Sequence, residues 1–242
     1  MRLGRPAGAH GAEPVAGPHA IVFDLDDTLW PVGPTILQAE LAMRDFLAER
    51  YPRVLELHTL ESMRDLRVRM AAEYPAMRHD FTWLRTRALL EHAREAGYPE
   101  AMAHEAFEVF YRARNRVELY EDVLPAFERL SVRHRLFAVS NGNADLAAVG
   151  IGAWFEGTLA AREAGCLKPD PRIFLMLLER AGLAPGHALH VGDDPLADVE
   201  GARRAGIDAV WVNRRGDAWP EGLAPPARTV RSLSELVSAL GA

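Results

Sequence analysis

Two periodicities divide this chain. From residue 34 to residue 117 apolar positions recur every three or four residues, the spacing of helices that bury one face. Helices are expected over Pro34–Arg50, Thr59–Glu73, Asp80–Ala96 and Glu100–Arg116, punctuated by Pro52, Pro75, Gly97 and Pro99. No strand signal interrupts that block. Outside it, short apolar runs dominate. Ala20-Ile21-Val22-Phe23 suits a strand buried on both faces. From Asp122 onward strand-like runs at Arg135–Ser140, Gly157–Ala160, Ala188–Gly192 and Ala209–Asn213, with a weaker sixth at Arg228–Val230, alternate with helical stretches at Val123–Leu130, Pro171–Ala181, Pro195–Ala205 and Leu233–Leu240. Such alternation predicts an α/β fold, a doubly wound parallel sheet with helices on both faces. The expected organisation is a sheet domain of residues 20–33 and 118–242, an inserted all-helical cap of residues 34–117, and a flexible arm of residues 1–19. That arm is rich in Gly, Ala, Pro and His and lacks the apolar block of a signal peptide. The Pro- and Gly-rich stretch Asp217–Pro226 reads as a surface loop.

Composition narrows the partners. A formal charge of −6 with 49% apolar and 26% charged residues is that of an ordinary globular chain. Its acidic balance argues against nucleic acid or an anionic membrane surface as partner. No apolar stretch reaches the ~18 residues that span a bilayer. The single cysteine, Cys166, cannot pair within the chain, so a reducing cytoplasm is the expected location and a small packing residue the expected role. None of the nine histidines forms a zinc spacing of the His-Glu-x-x-His kind. Among 28 basic residues only Lys168 is a lysine. A chain that otherwise uses arginine throughout has either one accidental lysine or one place that needs a compact point charge rather than a planar fork.

Ligands of such sheets gather beyond the carboxyl ends of the strands, so polar residues there are the ones to question. Asp24 and Asp26 follow the first strand; if the chain stays extended their carboxylates point the same way and repel unless a cation or a shared proton relieves them. Asp27 and Thr28 suit a capped turn. Ser140-Asn141-Gly142 ends the second strand, where a hydroxyl and successive backbone N–H groups can cradle a phosphate, or simply make a turn. In Lys168-Pro169-Asp170-Pro171 the aspartate and second proline have a ready role as helix N-cap and first helical residue, while Lys168 has none. Asp193 leaves the fourth strand toward the same pocket as Asp24. Asp194 precedes Pro195 and reads as an N-cap. Asp198 falls in a first helical turn, where an acid is favourable with or without a functional role.

Asp-x-Asp-x-Thr, then Ser, then Lys, then Gly-Asp with a further Asp, each at a strand terminus, resembles the haloacid dehalogenase-like hydrolase superfamily through all four of its signature motifs, from Ile21 to Val212. The resemblance implies a Rossmann-like core. It implies that Asp24 is a nucleophile forming an aspartyl-phosphate, and that Asp26 protonates the leaving oxygen and then activates water. Ser140 and Lys168 would hold the phosphate, with Asn141 and Gly142 beside them. Mg²⁺ would be bound by Asp24, Asp193 and the Asp26 carbonyl, with Thr28 and Asp198 supporting. The physics agrees: oxygen donors suit Mg²⁺, and a carboxylate attacks a phosphate dianion only where positive charge offsets repulsion.

Spacing sets the cap type. Asp24 and Ser140 are 116 residues apart, against 28 from Ser140 to Lys168 and 25 from Lys168 to Asp193. The surplus lies in the first gap, matching the superfamily's helical cap after the first strand, which implies exclusion of water and choice of substrate. The superfamily's dehalogenases use no metal and lack the second aspartate, so Asp26 speaks against that chemistry. Phosphonoacetaldehyde hydrolases need a cap lysine that is absent here. A phosphomutase, a promiscuous sugar or nucleotide phosphatase, or a non-catalytic phosphate-binding scaffold are the alternatives. The phrases Phe23–Trp30, His79–Arg85, Ser140–Ala144 and Leu189–Asp194 further resemble the bacterial flavin-pathway phosphatases, which implies a small phosphorylated metabolite such as FMN or 5-amino-6-(5-phospho-D-ribitylamino)uracil. Trp30 is then expected at the pocket mouth. Trp83 and Arg87 are candidate substrate contacts, with core packing the stronger reading for Trp83. His190 is expected to face the packing side of the sheet.

Overall fold

Ala20–Phe23 is at most 1% exposed along its whole length, and the rest of the sheet is arranged around it. The computed structural model describes residues 18–242. In order the elements are β1 (Ala20–Phe23), α1 (Val32–Arg50), α2 (Pro52–Leu57), α3 (Leu60–Glu73), α4 (Phe81–Ala96), α5 (Ala101–Arg114), α6 (Val123–Leu130), β2 (Arg135–Ser140) and α7 (Leu146–Val149). Next come β3 (Gly157–Ala160), α8 (Ala161–Ala164), α9 (Pro171–Ala181), β4 (Ala188–Gly192), a π-helical turn (Pro195–Glu200), α10 (Gly201–Arg204), β5 (Asp208–Val212), β6 (Arg228–Val230) and α11 (Leu233–Leu240). Among the described residues two units result, one formed by residues 18–31 and 119–242, the other by Val32–Glu118.

In the first unit six parallel strands lie in the order β3-β2-β1-β4-β5-β6, so the chain reverses its direction of winding between β1 and β4. Phe23 stands opposite Ala138 of β2 and Val191 of β4. Alternation along β1 sends Ala20 and Val22 into a core shared with Phe137, Val139, Trp211 and, from α9, Ile173, Phe174 and Leu177. Phe23 points the other way, onto Phe127 of α6 at 5.3 Å between ring centroids. Each fully buried large side chain is worth roughly 1.5–3 kcal/mol, so this double-sided burial pins the strand and with it the residue that follows.

The second unit packs α1, α4 and α5 through Met43, Leu47, Leu89, Met102 and Phe110. Glu40 is 1% exposed inside it. Its carboxylate meets Arg64, Arg67 at 3.0 Å and Arg85 at 3.6 Å, and the Arg85 guanidinium also lies over the Phe110 ring at 3.5 Å.

Several boundaries depart from the sequence expectation for local reasons. Pro52 opens the short helix α2 instead of merely ending α1, because a proline at the first helical turn gives up no hydrogen bond. Thr59 and Asp80 are N-caps rather than helical residues. α5 stops at Arg114, and β5 runs from Asp208, which pairs with Leu189. The helix expected over Pro195–Ala205 is a π-helical turn followed by α10. The short helices α7 and α8 were not among the expected elements, although Asp145 caps α7 and Gly150 ends it. Most of the arm read at residues 1–19 lies outside the described residues. Pro18 and His19, which are within them, are tied down: His19 donates to His187 O at 2.8 Å, and Pro18 O lies 2.6 Å from His134 Nδ1. Among the described residues no helix is long and apolar enough to cross a membrane.

Candidate active site

The β1 hydrogen-bonding pattern continues one residue past the strand, where the Asp24 N–H donates to Val191 O at 2.9 Å. That fixes Asp24 at the winding reversal between β1 and β4, where open parallel sheets bind ligands. Beyond it the chain closes a tight loop: Leu29 N–H donates to Leu25 O and Asp27 N–H to Trp30 O, both at 2.7 Å. Asp27 takes a φ of 60°, a left-handed conformation that aspartate tolerates better than most residues. The loop brings Trp30 back under Asp26, and its indole N–H donates to Asp26 Oδ1 at 2.8 Å. Trp30 is fully buried. It therefore does not line a pocket mouth; it orients a carboxylate.

Lys168 answers the question of the lone lysine. Its ammonium, nearly out of solvent, donates to Asp24, to Asp198 at 2.6 Å and to Val139 O at 3.3 Å. Three acceptors arranged around one point match an ammonium and not a planar guanidinium. Asn141 holds the lysine backbone from both sides, accepting from Lys168 N at 2.7 Å and donating to Lys168 O at 3.1 Å. The Asn141 side chain is thus committed to Lys168, leaving only its backbone for the expected phosphate cradle. Gly142 N–H likewise turns onto Ser140 Oγ at 2.9 Å.

Asp198 is the hub beneath. One oxygen accepts from Lys168 and faces His190 Nε2 at 2.9 Å; the other accepts from Asp194 N–H at 2.9 Å. Gly192 makes room for it: a Cβ there would stand 2.3 Å from Asp198 Cγ. The Asp194 carboxylate caps the π-helical turn through Leu196 and Ala197 N–H, as its place before Pro195 suggested. Asp193 accepts from Thr28 Oγ1 at 3.1 Å, and its carbonyl accepts from the Trp211 indole at 2.7 Å. Arg214 buttresses this corner through Thr28 O, at 2.9 Å, and Asp122.

Electrostatics follow from the crowding. Burial pushes Asp24 well above the usual carboxylate range, and Asp198 and Asp193 add to the push against Lys168. Burial alone would raise Asp198 too, but Lys168 and His190 outweigh it and hold it ionised. Asp193 is pushed up to about 7 by burial, then by Asp198 and Asp27. Carboxylate oxygens of Asp24, Asp193 and Asp198 lie within 4.8 Å of one another. With Asp198 committed to Lys168, His190 and Asp194, the two carboxylates left facing the strand ends offer hard oxygen donors and surplus negative charge. A divalent cation such as Mg²⁺ fits that donor set.

The fold thus gathers Asp24, Asp26, Thr28, Ser140, Lys168, Asp193 and Asp198 at one end of the sheet. Trp83 and Arg87 are engaged within the helical unit: Trp83 packs edge-on to Tyr74 at 5.3 Å, and Arg87 pairs with Glu91 at 3.1 Å. Cys166 is a buried core residue. Sequence reasoning missed the hydrogen-bonding roles of His190 and Arg214. His190 does pack on Phe174, but its ring also reaches Asp198. A polar residue inside an otherwise apolar strand must find a partner, and that was the available signal.

A model of the haloacid dehalogenase-like hydrolase family matches residues 18–206. The chain belongs to this family. The hydrolase is similar to the 5-amino-6-(5-phospho-D-ribitylamino)uracil phosphatase YigB of Escherichia coli, at 32% identity covering 98% of this chain and 100% of the relative. It is also similar to a phosphoserine phosphatase of Thermus thermophilus, at 40% identity over 54% of this chain and 55% of the relative. Among solved structures, a 2-haloacid dehalogenase from Pseudomonas syringae superposes with a TM-score of 0.86 and 38% identity, over 93% of this chain and 100% of that one.

Proposed function

We propose that this hydrolase is a Mg²⁺-dependent phosphatase of small phosphomonoesters working through an aspartyl-phosphate on Asp24. The observation that carries the reading is Asp26, a second carboxylate two residues beyond Asp24 and oriented by Trp30. Displacing phosphate from a poor leaving group needs an acid, and hydrolysing the resulting acyl phosphate needs a base. Asp26 meets both needs in turn.

An Asp24 oxygen attacks phosphorus, the ester P–O bond breaks, and Asp26 gives its proton to the leaving oxygen. Asp26 then takes a proton from water, the water oxygen attacks phosphorus, and the Asp24–phosphorus bond breaks to release phosphate and restore the carboxylate. Splitting the displacement this way is ordinary covalent catalysis. Lys168 offsets charge on the nucleophile and the transferring group, while the Ser140 hydroxyl, itself held by the Gly142 N–H, and the Asn141 backbone N–H orient the phosphoryl oxygens. Asp24, Asp193 and the Asp26 carbonyl would hold Mg²⁺, which supplies further neutralisation of phosphoryl charge.

The substrate we favour is FMN or 5-amino-6-(5-phospho-D-ribitylamino)uracil, in a cytoplasmic riboflavin pathway; the similarity to the Escherichia coli phosphatase supports the second of these esters. A second reading, displacement of halide from a 2-haloacid, has the similarity to the Pseudomonas dehalogenase in its favour. That chemistry has no evident use for Asp26 or for the acidic pair.

Phosphate release is to be measured with Mg²⁺, with and without EDTA, on FMN, the ribitylaminouracil phosphate, sugar phosphates and nucleoside monophosphates, and halide release on 2-chloropropionate. EDTA-sensitive release with preference for a flavin-pathway ester supports the full reading. Broad release keeps the phosphatase and rejects the substrate. Halide release in EDTA rejects the phosphatase, and a bisphosphate requirement with phosphate returned to product indicates a mutase. No turnover with bound Mg²⁺ leaves a scaffold.

A further inference from the structure

The helical unit contains a second cluster of ligating side chains that the proposed reaction does not use. His58 lies in the turn between α2 and α3; His92 and Glu95 stand on one face of α4, three residues apart. Ligand atoms of all three lie within 4.8 Å of one another, with His58 Nε2 3.0 Å from Glu95 Oε2. The two imidazole rings lie 4.2 Å apart between centroids, tilted by 50°.

His92 is the informative member. It is 2% exposed, and neither of its ring nitrogens has a hydrogen-bond partner. A buried imidazole left unsatisfied costs about 1–3 kcal/mol, so a histidine at this position needs an account that packing alone does not give. We propose that His58, His92 and Glu95 form a binding site for a borderline transition-metal ion of the Zn²⁺ class. Two imidazoles and one carboxylate are a common three-ligand zinc set, and the half-exposed side of Glu95 leaves a fourth position to water. Mg²⁺ is the wrong ion here, because it prefers oxygen donors. The site therefore differs in chemistry from the carboxylate pair of the α/β unit.

Two cationic side chains, Arg69 and Arg67, stand near His92. Arg67 and Arg69 oppose a cation. Arg67 is itself committed to Glu40 at 3.0 Å, and Glu95 brings one negative charge of its own.

The test is equilibrium dialysis of the full chain against Zn²⁺ in millimolar Mg²⁺, with Co²⁺ absorption as the spectroscopic reporter. We expect one Zn²⁺ per chain that Mg²⁺ does not displace, together with visible Co²⁺ bands showing nitrogen ligation. His92→Gln, His58→Gln and Glu95→Gln should each weaken binding by at least about tenfold. Asp193→Asn, which disables the carboxylate pair, should leave this Zn²⁺ in place. If His92→Gln fails to fold, the two more exposed variants carry the test. No Zn²⁺ bound at ~10 µM, or binding that survives His58→Gln and Glu95→Gln, or binding lost only in Asp193→Asn, overturns the site.

Discussion

Trp30 donates its indole N–H to Asp26 at 2.8 Å from a position with no solvent exposure. A hydrogen bond from a buried donor to a carboxylate fixes its direction, so the tryptophan sets how Asp26 faces a leaving group. Trp30→Phe keeps most of the volume and removes the donor. We expect kcat on an alkyl phosphate to fall about tenfold with KM little changed. On p-nitrophenyl phosphate, whose leaving group needs no proton, the first-turnover burst of p-nitrophenolate should hold, while steady-state turnover, which still needs Asp26 as base, should fall. A burst slowed as much as on the alkyl phosphate would mean that Trp30 only packs.

His190 acts one step further back. Its ring faces Asp198 at 2.9 Å, and Asp198 in turn holds Lys168. His190→Phe should lower kcat ~10–100-fold with KM preserved, since a hydrogen bond to a charged group is worth about 1.5–3 kcal/mol. His190→Gln should recover part of the loss. A KM effect with kcat intact would argue against a positioning role.

Lys168→Arg preserves charge but not shape. Three acceptors converge on one nitrogen in a nearly solvent-free pocket, and a guanidinium cannot place its charge there without displacing Asp24 or Asp198. Turnover should fall by roughly 10²–10³, the loss typical of one removed electrostatic stabiliser. Circular dichroism should still show the native fold. An unchanged rate would make the single lysine a compositional accident.

Gly192→Ala tests the close approach of β4 to Asp198. The added Cβ meets Asp198 Cγ at 2.3 Å, so either the carboxylate leaves Lys168 or the strand moves. A denaturant titration should show a loss of about 1–3 kcal/mol, alongside lost activity. Gly186→Ala, where nothing lies within 4 Å, is the control and should be near neutral.

Glu40 predicts an acid limb for the helical unit. Burial opposes its ionisation, yet Arg64 and Arg67 outweigh it and hold the carboxyl below its ordinary 4.5. A depressed carboxyl stabilises the fold above the unfolded value, and that contribution is lost as pH falls through the folded one. Melting temperature should therefore drop as pH falls below about 4.5, less steeply in Glu40→Gln. At neutral pH that variant should lose about 3 kcal/mol, chiefly because Arg85 stays buried without its partner, the exposed Arg64 contributing little.

Much of this was legible before the fold was known. An apolar run that stops abruptly at an acid marks β1 and Asp24, because a strand buried on both faces tolerates no carboxylate inside it. Asp170 and Asp194 were readable as caps from the prolines after them, and both cap. These features depend on neighbours a few residues away, where local geometry decides. Trp30 was misread because hydrophobic pattern reports burial tendency and not direction: the loop from Asp24 folds back and turns an expected pocket wall into a support. Asn141 sits where a phosphate cradle belongs by motif, but its amide meets the Lys168 backbone, 27 residues on.

The sequence by itself determined the alternation that makes a parallel sheet, the strand ends where chemistry collects, and the residue types able to perform it. Only tertiary structure decided that His190 reaches Asp198, that Gly192 leaves room for the Asp198 carboxylate, and that His58 meets His92 and Glu95. Periodicity encodes which face a residue occupies; what stands opposite that face is set by how distant segments pack, and the convergence of charges and ligands is a property of that packing.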